Sequence, residues 1–116
     1  MKKIFSLFII MFLLSACGSR YQTINSNRAM ELINDGAVII DVRTKEEFND
    51  SHIVGAVNIP LDKITTINYE KEKTLIVYCA TGVRSVEALK KLYDLGYTSL
   101  YNLDGGLLNW GFELEE

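Results

Sequence analysis

Histidine occurs once in the 116 residues (His52), proline once (Pro60) and cysteine twice (Cys17 and Cys79). That scarcity leaves little from which to build a metal centre or a disulfide framework. An excess of positive charge is also missing. The net charge is −3, and without the first seventeen residues, which hold Lys2 and Lys3, ten basic groups face fifteen acidic ones. Nucleic acid and anionic membrane surfaces are therefore disfavoured as partners. No internal repeat or low-complexity tract divides the chain. The apolar run Ile4 to Leu14, broken only by Ser6, has eleven residues. At ~1.5 Å per residue it falls short of a hydrocarbon core of about 30 Å. What is present is 48% hydrophobic residues, enough for the packed core of one domain.

The N-terminal stretch MKKIFSLFIIMFLLSAC is a unit of its own. Lysines followed by an apolar run form the pattern of a secretory signal peptide. Its end, Leu14-Ser15-Ala16-Cys17, resembles a bacterial lipoprotein lipobox. The resemblance implies that residues 1–16 are removed and that Cys17 is lipidated and becomes the new N-terminus. Residues 17–22 then form a lipidated tether and 23–116 the folded domain. The protein is expected to be exported and lipid-anchored, on the outer face of the cell membrane or on a periplasmic membrane face. An ordinary signal peptide or a short uncleaved anchor is the alternative. A lipid on Cys17 leaves Cys79 as the only thiol, which excludes an intramolecular disulfide and a metal site built on two cysteines.

From Ser26 onward, helical periodicity alternates with short apolar runs. SNRAMELINDG predicts a helix capped by Ser26, with Met30 and Ile33 on one face and Gly36 ending it. AVIID is a continuous β-branched run, as in a strand buried on both faces. Thr44 and Glu47 form a capping box for a short helix ending near Asn49. GAVNIP predicts a short strand stopped by Pro60, LDKITTINYEKEK a weak helix and charged turn, and TLIVY a second buried strand. SVEALKKLYDLGY is the strongest helix, with Val86, Leu89 and Leu92 or Tyr93 on one stripe and Gly96 after it. SLYNL is a last strand and DGGLLNWGFELEE a glycine-led helical end. This alternation predicts an α/β fold with a mainly parallel sheet covered on both faces. Ligands bind such sheets beyond the carboxyl ends of the strands. Two segments place polar groups there: Asp41-Val42-Arg43 and the stretch from Cys79 to Ser85.

Cys79 comes directly off a strand. Ala80, Thr81 and Gly82 are small enough for backbone N–H groups to curl around a bound atom, and Gly82 permits a positive φ. Val83 carries no charge, and Arg84 and Ser85 open a helix whose N-terminus bears about half a positive charge. Such a nest binds anions and lowers a thiol pKa, favouring the nucleophilic thiolate near neutral pH. An inert core cysteine does not call for a small-residue turn and an arginine at the same strand end.

Four pieces together resemble the single-domain rhodanese-like sulfurtransferases: Asp41-Val42-Arg43, EEFNDSHIVGAVNIPL (46–61), Cys79-Ala80-Thr81-Gly82-Val83-Arg84-Ser85, and LDGGLLNWGF (103–112). The resemblance implies a parallel sheet of about five strands flanked by helices. It implies that Cys79 takes a sulfane sulfur from a donor such as thiosulfate, holds it as a persulfide, and passes it to cyanide or a thiol, a protein thiol included. The N–H groups from Ala80 to Ser85 then stabilise the terminal sulfur; no cofactor or metal is implied. Arg84 either orders the loop and adds positive potential or forms a structural ion pair with a carboxylate such as Asp41. Ser85 caps the helix, donates to the sulfur, or both. Asp41 anchors its loop, and Arg43 faces either the pocket or the surface. His52 is a general base or, as in the matching family segment, a packing residue beside the loop. Gly105 and Gly106 allow the last helix close to the sheet, and Trp110 is a core residue.

Two other classes share parts of this pattern. Cysteine phosphatases and arsenate reductases use C-x5-R, whereas Cys79 to Arg84 is C-x4-R, a smaller cradle suited to a single sulfur atom. A non-turnover persulfide carrier or thiol sensor uses the same cysteine with a dedicated partner.

Overall fold

A computed structural model describes residues 20–116. The signal peptide expected at 1–16 and the lipid site expected at Cys17 lie outside the described residues. The elements run β1 (Gln22–Ile24), α1 (Ser26–Asn34), β2 (Val38–Asp41), α2 (Lys45–Asp50), β3 (His52–Ile53), β4 (Val57–Asn58), a 3-10 helix (Leu61–Thr66), β5 (Leu75–Tyr78), α3 (Val83–Asp94), β6 (Leu100–Leu103), a second 3-10 helix (Gly106–Asn109) and β7 (Leu114–Glu115). Five strands form one sheet in the order β1-β6-β5-β2-β4, every neighbouring pair parallel. The α/β fold with a five-stranded parallel sheet is the one the sequence predicts.

The continuous apolar runs of β2 and β5 follow from burial on both sides. Along β5, Leu75, Val77 and then Cys79 point into one core with Ile40, Ile64, Leu89 and Leu92. Ile76 and Tyr78 point into the other with Ile24, Ala29, Ile39 and Leu103. The amphipathic stripe of α3 covers the first core through Ser85, Ala88, Leu89 and Leu92. The α1 helix closes the second through Ala29. This two-sided packing fixes the carboxyl end of β5, and with it Cys79, near the middle of the sheet.

Four details differ from the sequence reading. The α1 cap is Asn25, whose Oδ1 accepts from Arg28 N–H at 2.9 Å. Ser26 lies inside the first turn; its hydroxyl accepts from Gly111 N–H at 3.0 Å and so ties the helix to the C-terminal segment. Gln22, expected in the tether, already pairs with Tyr101 in the sheet. The expected C-terminal helix is one 3-10 turn followed by β7, which pairs antiparallel with β3 (His52 opposite Glu115, Ile53 opposite Leu114). Left-handed Gly105 and Gly106 (φ +71 and +63) turn the chain back under the Cys79 loop instead of continuing a helix. Trp110 is half-buried at the rim of the second core, donating from its indole N–H to the Glu113 carbonyl at 3.3 Å.

Candidate active site

Cys79 follows the last residue of β5, and α3 begins four residues later. Gly82 makes the turn with φ +109, a left-handed conformation that disfavours any β-carbon. The turn aims the Gly82 N–H at the Cys79 sulfur, 3.0 Å away. The Ser85 hydroxyl lies 3.6 Å from the same sulfur and donates to Asn102 Oδ1 on β6 at 2.7 Å. Burial pushes the Cys79 thiol up. Hydrogen bonds from the Ser85 side chain, and from the backbone of Ser85, Gly82 and Thr81, pull it down further, and the net shift is downward. Geometry and charge thus favour a thiolate cradled by backbone dipoles. Exposed Val83 and Leu108 give the loop an uncharged rim.

The second 3-10 helix braces this loop from behind. Leu107 N–H donates to the Cys79 carbonyl at 2.8 Å and Leu108 N–H to the Ala80 carbonyl at 3.2 Å. A β-carbon at Gly106 would lie 2.7 Å from the Ala80 carbonyl carbon, so only glycine permits this approach.

The supporting charges sort into two pairs. Arg84 makes two bonds to Glu47, 2.7 and 3.0 Å. Its carboxylate partner is therefore Glu47 and not Asp41, because Asp41 is already occupied. Buried Asp41 accepts from the Arg43 backbone N–H at 2.8 Å and from the Arg43 guanidinium at 2.8 to 3.1 Å. Arg43 also donates to the Ser51 carbonyl at 2.6 Å and is 5% exposed. It faces neither pocket nor solvent; it locks the β2 loop to the segment before β3. The Arg84 guanidinium holds the Glu47 carboxyl down at about 2 against burial.

His52 stands apart from the thiol. Its Nδ1 lies 2.8 Å from the Phe48 carbonyl, its ring stacks on Phe48 at 3.7 Å, and its Nε2 is 3.8 Å from Glu115. That is the packing role on the β3–β7 ribbon. Among the described residues, no three His, Cys, Asp or Glu side chains gather as metal ligands. Sequence reading passed over Glu47 as an arginine partner, since a capping-box residue is already accounted for, and it passed over Asn102. A polar residue inside the apolar run SLYNL was the available signal for the second.

A rhodanese-like domain profile matches residues 26–113. The Bacillus subtilis protein YqhL, of uncharacterised function, is 41% identical over 81 residues, covering 68% of this chain and 64% of that protein. The chain thus spans just under two thirds of that relative. GlpE of Coxiella burnetii, a thiosulfate sulfurtransferase, is 30% identical over 93 residues, 78% of this chain and 87% of GlpE. The solved structure of the human single-domain sulfurtransferase TSTD1 matches with a TM-score of 0.71 at 27% identity, covering 76% of this chain and 93% of that one. A parallel sheet ending in a cysteine loop, together with the profile match over residues 26–113, makes this chain a member of the rhodanese-like family, with sulfurtransferases among its relatives.

Proposed function

We propose that the protein is a sulfurtransferase that carries a sulfane sulfur on Cys79 as a persulfide, taking it from a donor such as thiosulfate and passing it to a thiol. The observation that carries this reading is the cradle of Gly82 N–H and Ser85 at the start of α3, which favours an anionic sulfur. The Cys79 thiolate attacks the outer sulfur of thiosulfate. A new S–S bond forms, the thiosulfate S–S bond breaks, and sulfite leaves with its electron pair. An acceptor thiolate then attacks the outer sulfur of the persulfide, and Cys79 departs as thiolate; cyanide in the same role leaves as thiocyanate. Because Cys79 is the one cysteine from residue 18 onward, release depends on an external acceptor. The short loop supports sulfur over phosphate, as does the engagement of both Arg84 terminal nitrogens by Glu47, which leaves the arginine poorly placed to clamp phosphate oxygens.

Intact mass spectrometry after incubation with thiosulfate tests this. One added sulfur atom, removed by cyanide or a small thiol and absent in Cys79→Ser, is the expected result. A wild-type protein that never gains the mass defeats the assignment. A persulfide that forms but resists small thiols points to a carrier with a dedicated protein partner.

The same proposal places the enzyme outside the cytosol, held to a membrane by a lipid on Cys17. The Leu-Ser-Ala-Cys sequence behind a short apolar run supports it. Native protein is expected to partition into detergent, and Cys17→Ala to yield an unprocessed or soluble product. Identical processing and partitioning of the two overturns the anchor.

A further inference from the structure

The charged groups nearest the thiol are already paired. Arg84 of α3 is held by Glu47 of α2, and Arg43 by Asp41 at the end of β2; neither pair hydrogen-bonds Ser85 or Asn102. The side chain that meets the sulfur is Ser85, at 3.6 Å, and Ser85 in turn meets Asn102 of β6 at 2.7 Å. All three residues are buried. A serine hydroxyl has one proton and serves one acceptor at a time. With Cys79 as a thiol the chain closes: S–H donates to Ser85 Oγ, and the Ser85 hydroxyl donates to Asn102 Oδ1. With Cys79 as a thiolate the sulfur needs the Ser85 proton. Asn102 Oδ1 is then left facing an oxygen lone pair in a buried site, which is costly. Among the described residues, Ser85 is the one hydrogen-bond partner of the Asn102 side chain. A half-turn of that amide breaks no other bond and puts an N–H donor where the oxygen was.

We propose that Asn102 is a positioning residue for Cys79: its amide presents oxygen to Ser85 when the sulfur is protonated and N–H when it is a thiolate, so that Ser85 accepts from the sulfur in the first state and donates to it in the second. This deepens the sulfurtransferase reading and rests on Cys79 being the nucleophile. On ionisation the thiol proton leaves to solvent. The Ser85 proton stays on its oxygen and rotates from Asn102 to sulfur, and no electron changes hands. The thiolate then accepts from both Gly82 N–H and the Ser85 hydroxyl, while Ser85 Oγ accepts from Asn102. The sulfur, the Ser85 hydroxyl and whichever Asn102 amide atom faces it are paired in both states, and the two bonds in series polarise one another toward the sulfur.

The test follows the side-chain amide signals of Asn102 by NMR in the purified wild-type protein while the thiol is titrated. The expected result is a shift with the same midpoint as Cys79 alkylation by iodoacetamide, lost in Ser85→Ala. Asn102→Asp supplies a second readout, since an ionised carboxylate only accepts and holds the Ser85 proton away from sulfur. Alkylation at neutral pH should slow about tenfold in that variant, the equivalent of one pKa unit. When Ser85→Ala is also present, most of that slowing should vanish, because only through-space charge is left. Amide signals that ignore the thiol titration, or equal slowing by Asn102→Asp in both backgrounds, overturn the proposal; the first needs no variant at position 102 to fold. Neither readout involves sulfur transfer. Amide signals that track the thiol in a protein that never gains sulfur from thiosulfate support this relay and refute the sulfurtransferase reading.

Discussion

Gly106→Ala measures how firmly the second 3-10 helix holds the cysteine loop. Gly105 and Gly106 both have left-handed φ, +71 and +63, so alanine at either position carries ~1–2 kcal/mol of backbone strain. The two sites differ in what the new β-carbon meets. At 105 it meets exposed Asn109, whose amide at 2.5 to 2.7 Å can swing into solvent, while its β-carbon at 2.8 Å yields only if the end of the 3-10 turn shifts slightly. At 106 it meets the Cys79 carbonyl oxygen closest of all, then the Ala80 carbonyl carbon and oxygen at 2.7 Å, and all three are backbone. Ordinary contact begins at 3.4 Å, so helix and loop must separate by at least about 0.7 Å, adding ~1–3 kcal/mol of overpacking. The expected destabilisation is about 2–5 kcal/mol for Gly106→Ala and a smaller ~1–3 kcal/mol for Gly105→Ala. The displacement also stretches the Leu107–Cys79 and Leu108–Ala80 bonds. Persulfide formation in the folded Gly106→Ala protein should therefore slow by roughly tenfold or more, since misplacement on the ångström scale costs up to about a hundredfold. Urea unfolding reports the stability and single-turnover reaction with thiosulfate the chemistry. If the two variants match in both assays, the close approach at Gly106 is not what positions the loop.

Arg84→Ala removes a positive charge near the thiol and frees the Glu47 carboxylate, so the Cys79 pKa should rise and alkylation at neutral pH slow several-fold; Glu47→Gln should shift the pKa the other way. A common profile in both variants removes this pair from the electrostatics of the site. Arg43→Ala leaves the fully buried Asp41 carboxylate unpaired and should cost about 3–5 kcal/mol in urea unfolding; a loss under about 1 kcal/mol would place the pair among weak surface contacts. Glu47 titrates at about 2 in the fold against an ordinary 4.5, so its contribution is fully present above the unfolded value and fades as pH falls from about 4.5 towards 2. The shift alone corresponds to about 3 kcal/mol, and with a third of the side chain in solvent we expect ~1 kcal/mol. Wild type and Glu47→Gln should therefore converge in urea midpoint over that interval, and parallel curves exclude Glu47 as the titrating group.

Elements whose signal is local were readable in the sequence. The Thr44–Glu47 capping box, the β-branched runs of β2 and β5, and the turn at Gly82 each depend on neighbours within a few residues. The small residues after Cys79 likewise announced a backbone cradle. What escaped notice depends on pairings remote in sequence. β1 and β7 are three and two residues long, too short for a periodic pattern, and exist because β6 and β3 offer edges to pair with. Asn25 outranks Ser26 as the cap because Gly111, 85 positions away, claims the Ser26 hydroxyl. Glu47 reads as a capping residue, and its second partner is 37 positions downstream. Arg43 reads equally well as a pocket or surface residue until the fold closes over Asp41.

The two arginines differ in what they leave at the sulfur. Arg43 is spent inside the fold, where Asp41 and the Ser51 carbonyl take its Nε and Nη2 donors. Arg84 stands at the start of α3, but both of its terminal nitrogens bond Glu47, so its field at the thiol is largely cancelled by the carboxylate beside it. What remains unopposed is the backbone: the Gly82 N–H on the sulfur and the α3 dipole behind it. Backbone dipoles are fixed by the fold, and in a loop this short the Gly82 N–H is already directed at the Cys79 sulfur, which favours a charge on or next to that atom. A loop that neutralises its own arginine while aiming N–H groups at a single atom favours a thiolate there, which is what the proposed persulfide chemistry requires. Lengthening it by one small residue between Gly82 and Val83 should weaken sulfur transfer by opening the Gly82–Cys79 distance; transfer that survives the insertion would show that loop size does not select the atom.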